Sequence, residues 1–239
     1  MAEYKTNNRY IQNRKRRRKQ ERAKSIAIVV LGVLLFIVIG IAVFQYISGS
    51  KKDDTKGNKQ KTVFQNQTKQ VPMPELDVQL LTVNPYSRPG IPTDGVQGIV
   101  VHYLANPGST AQNNRDYFES LKDLDSDKLS SNFVIGLEGE IIQCVPTSEI
   151  AYASNSRNSD TVSIECCHPD ETGKFNDATY QSLVELVAFL CGKFNLTTED
   201  VIRHYDVTGK ICPKYFVENE DAWEAFKEDI DVYIEEHGV

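Results

Sequence analysis

Basic residues are scarce over most of the chain. From Pro72 to Val239 there are 11 Lys/Arg against 29 Asp/Glu. This balance argues against nucleic-acid binding by this part, because phosphate neutralisation needs clustered positive charge. Cysteine is sparse and odd in number: Cys144, Cys166, Cys167, Cys191 and Cys212. A disulfide scaffold is therefore not the natural reading, and a segment of about 165 residues can hold together by its own core. Long hydrophobic runs are limited to one. Ile26 to Phe44 is nineteen residues without a charge, enough to cross a bilayer. The lack of a second run excludes a multi-pass protein, and the presence of the first excludes a wholly soluble cytoplasmic one. Internal repeats are also lacking.

What the N-terminal third does contain sets an orientation. Residues 1–24 hold ten Lys/Arg against two Asp/Glu, with the run Arg14-Lys15-Arg16-Arg17-Arg18-Lys19 beside the apolar segment. Positive charge there keeps its end inside. A cleaved signal peptide would have an apolar region of about 7–15 residues and a small-residue cleavage site, and neither is present. The expected organisation is a basic cytoplasmic tail (1–25), a transmembrane signal anchor (26–47), a flexible extracellular linker (48–73) rich in Lys, Gln, Asn and Asp, and a globular domain (74–239). Such a linker reaches about 25–30 Å. The domain would therefore stand outside the cell membrane, facing the wall.

Within the domain, strand-like and helix-like segments alternate. Gly98-Ile99-Val100-Val101-His102-Tyr103 reads as a buried strand, Ser109 to Leu124 as a helix with Tyr117, Phe118 and Leu121 at helical spacing, and Asn132–Gly136 with Glu140–Val145 as a hairpin turning at Glu138-Gly139. Thr161–Cys166 alternates like a strand. A helix is expected from Ala178 to Lys193, capped by Asp177 and ended near Gly192, then a short strand Val201–His204 and a last helix, Glu220 to Glu235. Strands alternating with helices imply an α/β domain with one central sheet covered by helices.

Only four histidines occur, and His102 and His204 both end predicted strands, where an α/β sheet usually places its ligands. Cys212 follows His204 by eight residues. Two imidazoles and a thiolate suit Zn²⁺, with a fourth position left for water; the same residues also read as two satisfied core histidines and a small buried hydrophobe. Glu165 interrupts an apolar strand, where a buried carboxylate needs a partner. It reads either as a general base or as a solvent-facing residue of an edge strand. Lys210 reads as an oxyanion partner or as a surface charge.

Taken together, Ile99-Val100-Val101-His102-Tyr103 followed by Asn106-Pro107-Gly108, Asn132-Phe133-Val134-Ile135-Gly136 with Gly139, Ser163-Ile164-Glu165, and Arg203-His204-Tyr205-Asp206-Val207-Thr208-Gly209-Lys210-Ile211-Cys212-Pro213 closely resemble the zinc-dependent N-acetylmuramoyl-L-alanine amidases. These type 2 amidases include phage endolysins, bacterial autolysins and the animal peptidoglycan recognition proteins. The resemblance runs from about Gln79 to Glu235, and its last motif is highly specific.

The resemblance implies a single central mixed β-sheet flanked by helices, one Zn²⁺ per domain, and His102, His204 and Cys212 as its ligands. It makes Glu165 the residue that activates the attacking water and Lys210 the one that stabilises the tetrahedral intermediate. The reaction implied is hydrolysis of the amide between N-acetylmuramic acid and L-alanine in peptidoglycan. Asn132, Asn155 and His168 are candidate substrate contacts. Two departures stand out: Ser131 replaces a tyrosine found in some relatives, and Tyr152-Ala153 replaces a Trp-His pair. The expected protein is a wall hydrolase tethered to the membrane through residues 26–47, with peptidoglycan as substrate and a possible, unidentified partner in an envelope complex. Two rivals remain: a muropeptide-recognition module without catalysis, and a cysteine peptidase using Cys166 or Cys167 with His168 or His204.

Overall fold

The computed structural model describes residues 68–124 and 127–239. The expected basic tail, the membrane span and nearly all of the linker lie outside the described residues. Among the described residues, no helix is long and apolar enough to cross a membrane.

Six strands form one sheet: β1 (Asp77–Val78), β2 (Gly98–Tyr103), β3 (Phe133–Ile135), β4 (Ile141–Gln143), β5 (Thr161–Cys166) and β6 (Val201–Arg203). Their spatial order is β1-β4-β3-β5-β2-β6. Only the β3–β4 hairpin is antiparallel, and the other four pairings are parallel, so the sheet is mixed. β5 lies between β3 and β2 rather than at an edge, and all six of its residues are buried. Parallel strands covered on both faces read as continuous apolar runs, which makes Glu165 an exception that needs a cause.

The helices are α1 (Ala111–Ser120), α2 (Asp177–Phe194), α3 (His204–Thr208), α4 (Lys214–Glu218) and α5 (Glu220–His237). One face of the sheet presents Ile99, Val101, Phe133, Ile135, Val162 and Ile164 to α2 and α5, where Leu183, Val187, Leu190, Phe226 and Ile230 complete the larger core. Each such side chain contributes about 1.5–3 kcal/mol by leaving water. The opposite face packs Val134, Ile142 and Cys144 against Ala111 and Phe118 of α1.

Helix boundaries follow capping chemistry more closely than composition. Thr110 caps α1 by accepting from Asn113 N at 3.1 Å, while Asn113 Oδ1 accepts from Thr110 N at 3.3 Å. The buried stripe is Ala111, Asn114 and Phe118, and Tyr117 is exposed. α2 is capped by Asn176, not Asp177, through a 2.9 Å bond from Thr179 N. It runs past Gly192 to Asn195, whose φ of 55° supplies the left-handed stop. Gly192 serves packing instead: a Cβ there would sit 2.7 Å from the Lys69 carbonyl oxygen. Gln70 lies against this helix and exchanges two backbone hydrogen bonds with Val239, each 3.0 Å. The fold thus takes in residues from Thr68, inside the stretch expected to be linker.

Candidate active site

The parallel register assembles the site. β2 pairs with β5 so that His102 stands opposite Glu165, and β3 places Val134 on the far side of Glu165. Because side chains alternate across a strand, Ile99, Val101, Val162 and Ile164 enter the larger core while His102 and Glu165 point to the α1 side. On the other flank Val101 pairs with Arg203, the last residue of β6. His204, the next residue, begins α3 rather than ending the strand. Gly209, at φ 77°, closes α3 in the left-handed region. The chain then doubles back until Tyr205 N donates to the Cys212 carbonyl at 2.9 Å. Arg203 secures this turn from below, bonding Asp206 at 3.0 Å, Glu220 at 2.7 Å and the Phe216 carbonyl at 3.1 Å.

His102, His204 and Cys212 converge, each buried, with one potential ligand atom apiece all within 4.8 Å of one another. Cys212 Sγ lies 3.8 Å from His102 Nδ1, and the two imidazole centroids are 4.7 Å apart. Tetrahedral zinc bond lengths imply ligand separations of about 3.3–3.6 Å, so a small inward side-chain rotation closes the set on an ion. Two buried atoms nearby have no hydrogen-bond partner: His204 Nδ1 and Glu165 Oε2. A lone ring nitrogen and a lone carboxylate oxygen at the edge of an N, N, S donor set are what a cation with a polarised ligand would satisfy. The residues therefore fit a zinc-type ion.

Electrostatics agree with that use. Burial, together with His204 and Lys210, holds His102 well below the ordinary histidine range, and burial and Lys210 lower His204. Both shifts favour the neutral ring that ligation requires. Burial pushes the Cys212 thiol up to about 12, with Glu165 adding to the effect; a divalent cation reverses this by stabilising the thiolate. Burial likewise lifts Glu165 to about 8, against the opposing pull of Lys210. Such a carboxyl can hold or release a proton near neutral pH.

His102, Glu165, His204 and Lys210 line one open cleft of about 480 Å³. Asn155 lines it too, with Oδ1 2.9 Å from His204 Nε2. The other two candidate contacts lie elsewhere. Asn132 is buried, giving Nδ2 to the carbonyls of Val145, Pro146 and Glu149 and accepting at Oδ1 from Ser163 N at 2.9 Å. Its polar capacity goes to the fold, and it does not reach the cleft. His168 bonds the Asp170 carbonyl through Nδ1 at 2.8 Å and packs on Tyr103, outside the cleft lining. The Cys166 and Cys167 thiols are buried and free, and burial raises Cys166 well above its ordinary value and pushes Cys167 up to about 12, which opposes the thiolate that a cysteine peptidase needs.

Sequence reasoning missed Lys128, Leu129 and Tyr152 as cleft walls, with the Lys128 ammonium 5.1 Å above the Tyr152 ring. Ser154, in the polar loop 153–160, has its Oγ 3.2 Å from His102 Nε2. Ser131 bonds the carbonyls of Phe133 and Ser163 at 2.8 and 3.0 Å, a structural role.

A mixed sheet with a His-His-Cys cluster, a buried carboxylate and a lysine on one open cleft is an arrangement that suits a hydrolase. The chain belongs to the N-acetylmuramoyl-L-alanine amidase family, which it matches over residues 92–215. It is 36% identical over 161 residues to the N-acetylmuramoyl-L-alanine amidase CwlL of Bacillus licheniformis, covering 62% of this chain and 44% of that protein. It is 31% identical over 168 residues to the N-acetylmuramoyl-L-alanine amidase BlyA of Bacillus subtilis (strain 168), with 62% and 44% covered. The chain thus spans less than half the length of the curated relatives it matches. Among solved structures, a mutant endolysin from Bacillus subtilis aligns with a TM-score of 0.56 at 25% identity, covering 66% of this chain and 99% of that one. PlyL shares the fold at TM-score 0.56 and 22% identity, with 66% and 97% covered.

Proposed function

We propose that the protein is a zinc-dependent peptidoglycan amidase that hydrolyses the bond between N-acetylmuramic acid and the L-alanine of the stem peptide. The observation that carries this reading is the convergence of the His102, His204 and Cys212 donor atoms within 4.8 Å beside buried Glu165, open to a cleft. Family membership and the amidase names of the relatives support it.

His102, His204 and Cys212 would hold one zinc ion, which supplies Lewis acidity to the scissile carbonyl and acidifies a water. Glu165 takes the proton of the attacking water and returns it to the leaving alanine nitrogen, a cycle suited to a carboxyl held near neutrality. Lys210 lends positive charge to the oxygen on which negative charge develops.

The uncharged run Ile26 to Phe44, with basic residues before it, supports a single-pass anchor with a cytoplasmic N-terminus and an external domain. A tether of this kind confines hydrolysis to wall near the membrane and is compatible with a place in a larger envelope complex.

The test is mass spectrometry of muropeptides after incubation with the full-length chain, zinc-loaded or chelated. Zinc-dependent release of intact stem peptides with a free alanine amine is expected. Binding without cleavage would favour the recognition module, and cleavage insensitive to chelation would overturn the metal mechanism.

A further inference from the structure

The loop before β5 touches both candidate histidine ligands from outside the metal position. Ser154 Oγ lies 3.2 Å from His102 Nε2, and Asn155 Oδ1 lies 2.9 Å from His204 Nε2. In each ring it is Nε2 that is engaged by the loop. The other nitrogen faces the cluster: His102 Nδ1 is 3.8 Å from Cys212 Sγ, and His204 Nδ1 is buried without a partner. An amide oxygen can only accept, so its partner Nε2 must carry the proton. In a neutral imidazole that leaves the lone pair on Nδ1.

The loop is built to hold this arrangement. Asn158 Oδ1 accepts from Ser154 N at 2.6 Å and from Ala153 N at 3.2 Å, while Arg157 N donates back to the Ser154 carbonyl at 3.0 Å. Asn155 itself sits at φ 51°, a left-handed conformation that Asn tolerates better than most side chains. Glycine would fit that backbone more easily, so the side chain is retained there at a conformational cost.

We propose that Asn155 is a positioning residue that holds His204 in the tautomer with Nε2 protonated and Nδ1 free to bind the metal. This assignment rests on the zinc reading above and gives Asn155 a task distinct from substrate contact. Groups that bond the far nitrogen of a ligating histidine fix its orientation and raise its basicity, and their loss typically weakens metal binding by about 10–100-fold.

The experiment compares the full-length wild-type chain with Asn155→Gly and Asn155→Asp, measuring zinc affinity by chelator competition. The glycine variant suits the backbone and deletes the acceptor, so its affinity should fall by about 10–100-fold. The aspartate keeps an acceptor and should bind at least as tightly as wild type. In parallel, ¹⁵N labelling of the four histidines reads the tautomer of each ring in the metal-free chain. His204 should be protonated at Nε2 in the wild type and mixed in the glycine variant. Zinc bound equally well by wild type and Asn155→Gly, or His204 protonated at Nδ1 in the wild type, overturns the proposal. Equal loss in both variants also overturns it, by showing a merely structural role. A wild-type chain that takes up no zinc overturns the zinc reading itself, and this one with it.

Discussion

Glu165 stands directly opposite His102 in the β2–β5 register, with Oε1 3.8 Å from His102 Nδ1 and Oε2 buried without a hydrogen-bond partner. A carboxylate only 9% exposed, on the strand between β3 and β2, is a standing cost to the fold. Its position beside the donor cluster is the compensating reason for it.

The first prediction concerns that residue in catalysis. Glu165→Gln keeps the shape and removes the base, so muropeptide cleavage should fall by about 10²–10⁴-fold. Zinc content, measured by atomic emission, should stay at one per chain. Full activity in the variant would remove Glu165 from the mechanism.

A second prediction follows from its raised pKa. Burial lifts the folded carboxyl to about 8 from an ordinary 4.5. Between those values the folded state binds more protons than the unfolded one, so metal-free stability falls as pH rises through that window. The loss should be on the order of a few kcal/mol. Urea denaturation of metal-free wild type and Glu165→Gln at pH 5 and pH 8 should show the variant gaining on the wild type at the higher pH. A difference independent of pH would contradict the assigned cause.

Lys210 lies exposed on the cleft and draws down the pKa values of Glu165, His102 and His204. Lys210→Met should lower kcat by about 10²-fold, the size of one lost oxyanion partner, while KM changes little. Zinc should bind no worse, because a nearby positive charge has gone. A variant with raised KM and unchanged kcat would make Lys210 a binding residue instead.

Arg203 is nearly buried, crosses from Asp206 to Glu220 and lies 5.2 Å from the Trp223 ring centre. Replacing it by Leu takes the guanidinium from Asp206, Glu220 and the Phe216 carbonyl and leaves Asp206 only its bond from the backbone N–H of residue 203. Chemical denaturation should show a loss of about 2–3 kcal/mol, below the value for fully buried pairs because both carboxylates remain partly exposed. Weakened zinc binding should accompany it, since Arg203 underlies the turn that carries His204 and Cys212. An unchanged midpoint would show that the turn is held by its backbone alone.

The elements most legible in the sequence were those whose hydrophobic pattern matched their period. β2, β5, the β3–β4 hairpin, α2 and α5 all sit close to their expected positions. The smaller pieces were not legible. α4 is five residues and β1 only two, too short for a period to register, and β1 takes its pairing from β4, distant in the sequence. His204 was expected to end a strand, but β6 loses its ladder after Arg203 and the backbone turns into α3.

The site divides in the same way. By itself the sequence determined the kind of chemistry on offer, because two histidines, a cysteine, an out-of-place glutamate and a lysine carry their donor and acid–base properties wherever they fall. Tertiary structure alone decided which of them meet. Parallel pairing brings residues 102, 165 and 204 to one sheet end across about a hundred positions of chain. The same packing buried Asn132 as a structural bridge, kept His168 out of the cleft and turned Ser154 and Asn155 onto the two imidazoles. Polar side chains of these types satisfy themselves with whatever the fold brings near, and no pattern along the chain specifies that neighbour.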